Sequence, residues 1–465
     1  MKKRIALIAV MAVIFFLGCP KSEVATIDVT PATGTTGIGL TAQFTATAHD
    51  ADGNVVDDVD FTWTSSSTAT ATVDTNGLAT GVAAGSCTIT AASGDIEGAA
   101  ALVVTSGPTH HGGDIDADET WYPSANPHII DDDINVQNNA TLTIMPGCIV
   151  KVQPSTEIYA GYYGAGSIIA DGKADTTILF TSNVASPSPG DWIGIGLYQY
   201  AMNTSSFSYC TIEYAGSNVY HGSFWVEGVT FAKFNHNTLR QSSSDGVCLY
   251  SDAGFQSFAN NTVTGCNGYP LHLNAEFVRT IGAVNTFTSN TTNAVYVTSG
   301  TVHTSGTWVN NGVPYVLGGD VNIGDNNTSP VITIAPGNII KFQPDIEFYT
   351  GYYAAGGLIA DGSTGRIIFT SNVASPSPGD YYHVGFYQYS IGASCKLINC
   401  NVLYGGGFST NDGNVVIEDA LPDVRGDSIG YSATWGIYIY GNHPDRDSLL
   451  AHNTFFSNDS GPVSP

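Results

Sequence analysis

The sequence predicts an all-β protein in which an N-terminal β-sandwich precedes a long right-handed parallel β-helix. Short apolar runs are interrupted every few residues by glycine, proline or asparagine, and helical periodicity is almost absent. The eleven residues TSNVASPSPGD stand at 181–191 and return unchanged at 370–380. Asn-Thr-apolar triplets begin at Asn237, Asn261 and Asn285, each 24 residues after the last. Repeats on these two scales indicate a solenoid built by stacking short coils.

The N-terminus has the features of a secretory signal over residues 1–18. Basic residues 2–4 precede the apolar run 5–17, which is short for a membrane span. The run ends in FLGC (16–19), which resembles the bacterial lipobox and implies that Cys19 receives a lipid after cleavage. An ordinary signal peptide with a chance cysteine is the alternative. We expect an exported lipoprotein of the outer membrane or cell surface that meets the membrane only through this lipid.

The net charge and one loop bear on which classes of ligand the protein binds. Cleavage removes three basic residues and no acidic one, so the formal charge goes from −26 to −29. This charge argues against nucleic acid and anionic lipid as partners. No cofactor is indicated, although calcium remains open. The loop 50–54 (DADGN) resembles a calcium loop, but it lacks the glutamate and helices of an EF-hand. A solvated hairpin turn is the alternative there.

The cysteines after Cys19 are expected to be buried packing residues. They are odd in number, scattered and without CxxC spacing, which argues against a disulfide framework and against a zinc site. They are Cys87, Cys148, Cys210, Cys248, Cys266, Cys395 and Cys400.

Residues 24–105 predict a β-sandwich, because alternating runs such as LTAQFTATA and CTITAAS are separated by Gly, Asp and Asn turns. The segments FTWTSSS, ATVDTNGLATG and TITA, in that order, resemble the bacterial Ig-like domain of group 2. That resemblance implies a spacer or adhesive module of a surface protein. Residues 106–118 (SGPTHHGGDIDAD) are expected to form a linker.

Residues 119–465 predict the parallel β-helix, made of two duplicated units at 121–307 and 308–465. Aligned asparagines are expected to form an internal ladder that satisfies backbone groups at a turn, with Cys210 and Cys400 in the same column. The second unit stops where the first continues, so we expect it to be incomplete.

The motif N-T-[LVF], followed about ten residues later by GVCLY, YPLHL, NAVYV or GIYIY, resembles the right-handed parallel β-helix repeat family. The resemblance implies the fold, but that fold hosts lyases, hydrolases, adhesins and passive spacers.

No catalytic set is identified. Lyases of this fold use a basic residue and hydrolases use clustered aspartates. The candidates His236, Arg240 and Asp245 align with Gly426, Gly430 and Trp435, so a catalytic set built on them would exist in the first unit only. The sequence therefore leans against an enzyme without excluding one.

Aromatic residues are the more suggestive signal, because exposed rings stack on the apolar faces of sugars. The alternative is that these rings pack inward or cover the edges of coils. The candidate ligand-binding residues are Tyr162, Tyr163, Trp192, Tyr198, Tyr352, Tyr353, Tyr381 and Tyr387. The sequence thus predicts an adhesive or carbohydrate-binding surface scaffold, with a polysaccharide or cell-surface glycan as partner. A polysaccharide lyase or hydrolase and a passive spacer are the alternatives.

Overall fold

The computed structural model describes residues 23–105, 108–218, 222–228 and 230–465. The expected signal segment and the lipidation residue Cys19 lie outside these ranges. The described residues form two compact units, 23–105 and 108–465. None of the helices in these ranges has the length and hydropathy of a membrane span.

The first unit is a β-sandwich, as predicted. Its strands are β1 (Thr26–Thr30), β2 (Thr33–Gly37), β3 (Thr41–Gln43), β4 (Thr45–His49), β5 (Thr62–Ser65), β6 (Ala71–Val73), β7 (Leu78–Gly81), β8 (Gly85–Ser93) and β9 (Ile96–Thr105). They form sheets in the orders β2-β9-β8-β5, β3-β7-β6 and β1-β4. Alternate residues point inward, so Phe44, Ile89 and Leu102 are fully buried between the sheets.

The second unit is a solenoid in which every paired strand runs parallel to its neighbour, one coil away. The strands of its first half are β10 (Thr109–Ile115), β11 (Glu119–Trp121), β12 (His128–Val136), β13 (Ala140–Ile144), β14 (Ile149–Val152), β15 (Glu157–Ala160), β16 (Gly166–Asp171), β17 (Ile178–Ser182), β18 (Gly194–Leu197), β19 (Ser206–Ser208), β20 (Cys210–Glu213), β21 (Phe224–Glu227), β22 (Thr230–Asn235), β23 (Thr238–Arg240), β24 (Val247–Tyr250), β25 (Gly254–Ala259), β26 (Thr262–Thr264), β27 (Leu271–Asn274), β28 (Thr286–Thr288), β29 (Val295–Thr298) and β30 (Gly300–Val302).

The duplicated half continues the same coils. Its strands are β31 (Gly306–Trp308), β32 (Tyr315–Leu317), β33 (Val321–Ile323), β34 (Val331–Ile334), β35 (Ile339–Phe342), β36 (Phe348–Thr350), β37 (Gly357–Asp361), β38 (Ile367–Ser371), β39 (Val384–Phe386), β40 (Lys396–Ile398), β41 (Cys400–Leu403), β42 (Gly413–Glu418), β43 (Asp423–Arg425), β44 (Ser428–Gly430), β45 (Trp435–Tyr440), β46 (Thr454–Phe456) and β47 (Gly461–Val463). The helices are α1 (Arg446–His452) and 3₁₀ turns at Pro123–Ala125, Ala275–Thr280 and Gly392–Ser394.

The start of the solenoid differs from the sequence prediction. Thr109–Ile115, which we expected in a linker, forms β10 and pairs in parallel with β12. Its Gly, His and Asp content suggested a loop, but β10 has most of its side chains outside the core and only Ile115 buried. The apolar signal of a core-facing strand is therefore absent from this segment.

The core is a set of columns in which like residues stack from coil to coil. One column runs through Phe180, Ile212, Leu239, Val263 and Phe287, which are register partners on successive strands. All are between 0% and 4% exposed. Burial on this scale, repeated in every coil, is the main source of stability for such a fold.

The asparagine ladder is present as predicted. The backbone N–H of Asn237 donates to Asn261 Oδ1 at 2.9 Å, and the N–H of Asn261 donates to Asn285 Oδ1 at 3.0 Å. Asn261 Nδ2 donates in turn to the carbonyl of Phe234 at 2.8 Å. The N–H of Cys210 donates to Asn237 Oδ1 at 2.9 Å, which places this cysteine in the ladder column.

In the second half of the solenoid an aspartate takes the ladder position. The N–H of Cys400 donates to Asp427 Oδ1 at 2.6 Å, while Asp427 Oδ2 is buried with no hydrogen-bond partner among the described residues. Burial raises the pKa of this carboxyl to about 8, although the Cys400 N–H opposes the shift. The seven described cysteines are buried and free, as expected for packing residues.

Candidate functional site

Two matching groups of tyrosines cover the outer surface of the solenoid, one in each half. The first tyrosine cluster consists of Tyr159, Tyr162, Tyr163 and Tyr198, and the second of Tyr349, Tyr352, Tyr353 and Tyr387. Their geometries agree closely. The ring centroids of Tyr162 and Tyr163 are 4.6 Å apart, as are those of Tyr352 and Tyr353. Each pair is edge-to-face, the arrangement that aromatic quadrupoles favour.

A glycine with a positive φ presents each Tyr-Tyr pair. Gly161 and Gly351 have φ values of 80° and 76°. A Cβ on Gly161 would lie 1.9 Å from the backbone nitrogen of Ala201, and one on Gly351 would lie 2.2 Å from that of Ser390. Only glycine fits this turn, which projects the two following tyrosines from the surface.

The predicted ligand-binding residues divide into an exposed and a buried set. Tyr162 and Tyr352 are both 44% exposed, whereas Tyr163 and Tyr353 are 75% and 69% exposed. The centroids of Tyr352 and Tyr387 are 4.8 Å apart, so the largely buried Tyr387 supports the exposed ring. Tyr198 supports Tyr162 in the same way at 4.8 Å.

Two of the predicted residues lie in the core and cannot contact a surface ligand. Trp192 is fully buried, and its Nε1 donates to the carbonyl of Glu213 at 2.9 Å. Tyr381, its counterpart, is also fully buried and stacks on Phe342 with 4.1 Å between centroids. Both assignments were wrong because the side chain directly after the repeated TSNVASPSPGD segment points into the solenoid.

Tyr159 and Tyr349 occupy equivalent places in the two clusters. Tyr159 lies 6.0 Å from Tyr162, and Tyr349 lies 6.0 Å from Tyr352. Phe348 points into the core and is fully buried.

The halves differ beside the tyrosine clusters. In the first half Trp225 packs over Gly194 and Gly196, and a Cβ on either glycine would come within 2.9 Å of its ring. In the second half the register position of Trp225 is taken by Val416, which is adjacent to Gly385 on β39. The smaller valine leaves space over β39, and the position of Gly194 is taken by His383.

His383 is held by two carboxylates. Its Nδ1 lies 2.8 Å from Asp412 Oδ1, and its Nε2 lies 3.0 Å from Glu347 Oε2 and 2.8 Å from the Tyr387 hydroxyl. Burial disfavours the charged imidazolium, but the hydrogen bonds to Asp412 and Glu347 outweigh it and raise the pKa of His383 to about 9. The ring is therefore protonated at neutral pH and donates from both nitrogens.

These groups form the floor of a cleft that encloses about 580 Å³. Glu347, Asp412 and Glu418 bring carboxylates to the cleft. The rings on its rim are those of Tyr353, Tyr382, Phe408 and Tyr440; Phe408 is 67% exposed and Tyr440 is 59% exposed. A concave site with aromatic walls and a few fixed polar groups is the usual form of a small-ligand pocket.

Asp412 also fixes the loop that carries one of these rings. Its Oδ2 accepts a hydrogen bond from the backbone N–H of Phe408 at 2.8 Å, while Oδ1 accepts from His383 and from the N–H of Gly413. The buried ion pair thus positions Phe408 over the cleft.

The catalytic candidates considered from the sequence, His236, Arg240 and Asp245, lie in the first half. Two of them have other partners. Arg240 pairs with Glu213 at 2.6 Å, and His236 stacks on Tyr209 at 4.6 Å on the exposed surface. The cluster around His383 was missed. Its signal was a histidine that takes the position of Gly194, three residues after the end of the segment TSNVASPSPGD, which is identical in both halves.

In the loop considered for calcium, residues 50–54, a carboxylate accepts hydrogen bonds from backbone N–H groups of the same loop. Asp50 Oδ1 accepts hydrogen bonds from the N–H groups of Asp52 and Asn54 at 3.0 Å and 2.9 Å. This arrangement forms a hairpin turn between β4 and Val55.

Comparison with known proteins agrees with the fold. Residues 23–104 match the family model of the bacterial Ig-like domain (group 2), and residues 113–223 match that of the pectate-lyase like beta helix domain. The chain therefore carries an Ig-like domain followed by a pectate-lyase-like β-helix domain.

Similarity to individual proteins covers short segments. Ice-binding protein 1 of Shewanella frigidimarina (strain NCIMB 400) is 50% identical over 68 residues, which are 14% of this chain and 8% of that protein. Domains 1–6 of the surface layer protein SbsC are 33% identical over 18% of this chain and 13% of that chain, with a TM-score of 0.17. Domains 5–6 of SbsC are 30% identical over 22% and 58%, with a TM-score of 0.18. The chain spans less than two thirds of each of these relatives.

Proposed function

We propose that the protein is a cell-surface lipoprotein whose β-helix is an adhesive, carbohydrate-binding scaffold, and that the cleft beside the second tyrosine cluster is the sugar site. The observation that carries this proposal is the pairing of exposed rings with carboxylates in one cleft. Tyr353, Phe408 and Tyr440 offer apolar faces above Glu347 and Glu418.

This pairing matches the surface of a sugar ring. The C–H faces of a pyranose stack on aromatic rings, and its hydroxyl groups donate to carboxylates, which act only as acceptors when ionised. Charge-assisted hydrogen bonds of this kind are stronger than neutral ones. The carboxylates and the net negative charge favour a neutral glycan over an anionic one.

The duplication supports attachment to an extended polymer. The first tyrosine cluster exposes Tyr162 and Tyr163 in the same geometry as the second cluster exposes Tyr352 and Tyr353. Two weak sites on one chain would raise avidity for a repeating polysaccharide without new contacts.

Anchoring depends on Cys19 and is tested separately. Lipidation at this residue would hold the chain at the membrane surface. We expect the Cys19→Ala variant to move from the membrane fraction to the soluble exported fraction, with the mass of the lipid lost. Equal membrane association of the variant would contradict lipid anchoring.

Glycan cleavage is the second candidate function, because Glu347, Asp412 and Glu418 line one cleft. Both oxygens of Asp412 already accept hydrogen bonds, and its side chain is 1% exposed. The candidates left for acid–base chemistry are Glu347 and Glu418.

One experiment separates these functions. Residues 20–465 are run through native gels cast with different neutral and acidic polysaccharides, with and without calcium. Retardation in a neutral-glycan gel supports the binding scaffold. Release of reducing ends or of an unsaturated product supports cleavage. Free migration in every gel would contradict carbohydrate binding and leave the spacer.

A further inference from the structure

A second polar cluster lies on the outer face of the first half of the solenoid, away from the cleft around His383. It consists of Asp245, Cys248 and His272. Cys248 on β24 and His272 on β27 are direct register partners in the parallel ladder, one coil apart. Asp245 lies in the turn before β24. Side chains at register partners of adjacent strands point to the same face, so stacking brings the thiol and the imidazole together.

The donor atoms of the three residues converge. His272 Nδ1 lies 3.1 Å from Asp245 Oδ2, and Cys248 Sγ lies 3.7 Å from the same oxygen. All three donor atoms lie within 4.8 Å of one another. Tetrahedral zinc, with bonds of ~2.0–2.3 Å, places its ligand atoms roughly 3.3–3.8 Å apart. Small side-chain rotations would bring the three atoms to that spacing.

Neighbouring groups hold the three side chains in place. Asp245 Oδ1 accepts a hydrogen bond from the backbone N–H of Tyr269 at 2.6 Å, which leaves Oδ2 directed at the cluster. The Cys248 side chain has the Tyr250 hydroxyl as a hydrogen-bond partner. The Tyr296 ring lies 4.8 Å from the ring of His272. Outer contacts of this kind orient the ligands of metal sites.

We propose that Asp245 Oδ2, Cys248 Sγ and His272 Nδ1 form a zinc site that links two neighbouring coils. The mixed oxygen, sulfur and nitrogen set suits Zn²⁺, whereas Ca²⁺ and Mg²⁺ require oxygen ligands. When Zn²⁺ binds, the thiol of Cys248 loses its proton to the buffer and coordinates as the thiolate. The side chains of Asp245 and His272 are 20% and 21% exposed, whereas Cys248 is 1% exposed, so solvent reaches the cluster at the carboxylate and the imidazole.

The site belongs to one half of the duplication. The second half has Trp435, Tyr438 and Ser464 at the equivalent positions, none of which reproduces the set. One ion per chain is therefore expected, although the solenoid is duplicated. The sequence lacks CxxC spacing, which argued against a zinc site. Spacing alone could not reveal this cluster, because its ligands come from two coils and meet only through stacking.

The test uses the full mature chain, reduced and freed of metal with a chelator. Cobalt replaces zinc as a spectroscopic probe, and zinc binding is measured by calorimetry. We expect one Co²⁺ per chain, with visible d–d bands and a thiolate-to-cobalt charge-transfer band that added Zn²⁺ abolishes. Zn²⁺ is also expected to raise the melting temperature, because it binds the folded state selectively.

Variants assign the ligands. Cys248→Ser is expected to remove the charge-transfer band, and His272→Ala to weaken Zn²⁺ binding by more than about tenfold, the loss that an outer partner alone produces. Cys400→Ser, which changes a buried cysteine of the second half, is the matched control and should keep the band. Because His272 is partly exposed, its variant remains a test even where Cys248→Ser folds poorly. The proposal would be overturned if the native chain bound no metal. It would also be overturned if both variants bound metal as the native chain does, because surface carboxylates would then hold the ions.

Discussion

His383 and Asp412 form a buried ion pair in which Nδ1 lies 2.8 Å from Oδ1, with side chains 5% and 1% exposed. In the first half of the solenoid Gly194 stands at the position of His383, and Trp225 covers it. The replacement of Gly194 by His383, together with that of Trp225 by Val416, thus converts a packed surface into a cleft with a charged floor.

Removal of the histidine is expected to destabilise the protein. His383→Ala would leave Asp412 and Glu347 facing each other without the cation, and breaking a buried pair costs about 3–5 kcal/mol. Urea denaturation measures the loss. The control is His110→Ala, since His110 pairs with Asp131 on the exposed surface and should have little effect. Equal stability of both variants would contradict a structural role for the pair.

The same pair predicts a pH dependence. The pKa of His383 is raised from 6.5 to about 9, so its contribution of ~3 kcal/mol is fully present below about pH 6.5 and is lost as pH rises through 9. The stability difference between the native chain and His383→Ala should therefore shrink between pH 6 and pH 10. A constant difference across that range would show that the imidazolium charge does not contribute.

Asp427 is expected to stabilise the ladder less than an asparagine at the same position would. Burial raises the pKa of its carboxyl from 3.8 to about 8. The stability that this carboxyl contributes is therefore fully present below pH 3.8 and is lost as the pH rises through 8. Asp427→Asn supplies an amide that can donate at the place of Oδ2, which has no partner in the described part of the chain. The variant should be more stable at pH 8, on the order of 1–3 kcal/mol, with a much smaller gain at pH 4. Thermal melts at both pH values measure this, and an equal gain at both would rule out the titration.

The ladder itself can be tested at Asn261. Asn261→Ala removes the acceptor of the Asn237 N–H and the donor to the Phe234 carbonyl, leaving two buried backbone groups unsatisfied. Each such group costs about 1–3 kcal/mol. Asn267→Ala, a change of the same type at an exposed turn position, is the control. If the denaturation midpoint fell equally in both variants, the ladder hydrogen bonds would not contribute specifically to stability.

Much of the fold could be predicted because a parallel β-helix repeats its own sequence. The 24-residue spacing of Asn237, Asn261 and Asn285 reports directly on stacking, since only aligned coils place these side chains in one column. The edge strand β10 was missed because most of its side chains face outward and need not be apolar.

The site was less predictable because its members are far apart in sequence. His383 contacts Glu347, 36 residues earlier, and Asp412, 29 residues later. Composition identified the tyrosines as a group, but it did not distinguish Tyr353, which projects from a glycine turn, from Tyr381, which points into the core. Only the register of the strands decides which rings reach the surface.

The central claim is that the second tyrosine cluster and its cleft bind sugar. The direct measurement uses the neutral glycan that retards the native chain. It compares the affinity of the cleft variant Tyr353→Ala/Phe408→Ala with that of the control Tyr122→Ala/Val184→Ala, which changes exposed residues of the first half outside both tyrosine clusters. We predict that the cleft variant weakens binding by at least about tenfold, or ~1.4 kcal/mol, and that the control weakens it far less. Equal affinities for the native chain and the cleft variant would contradict the account.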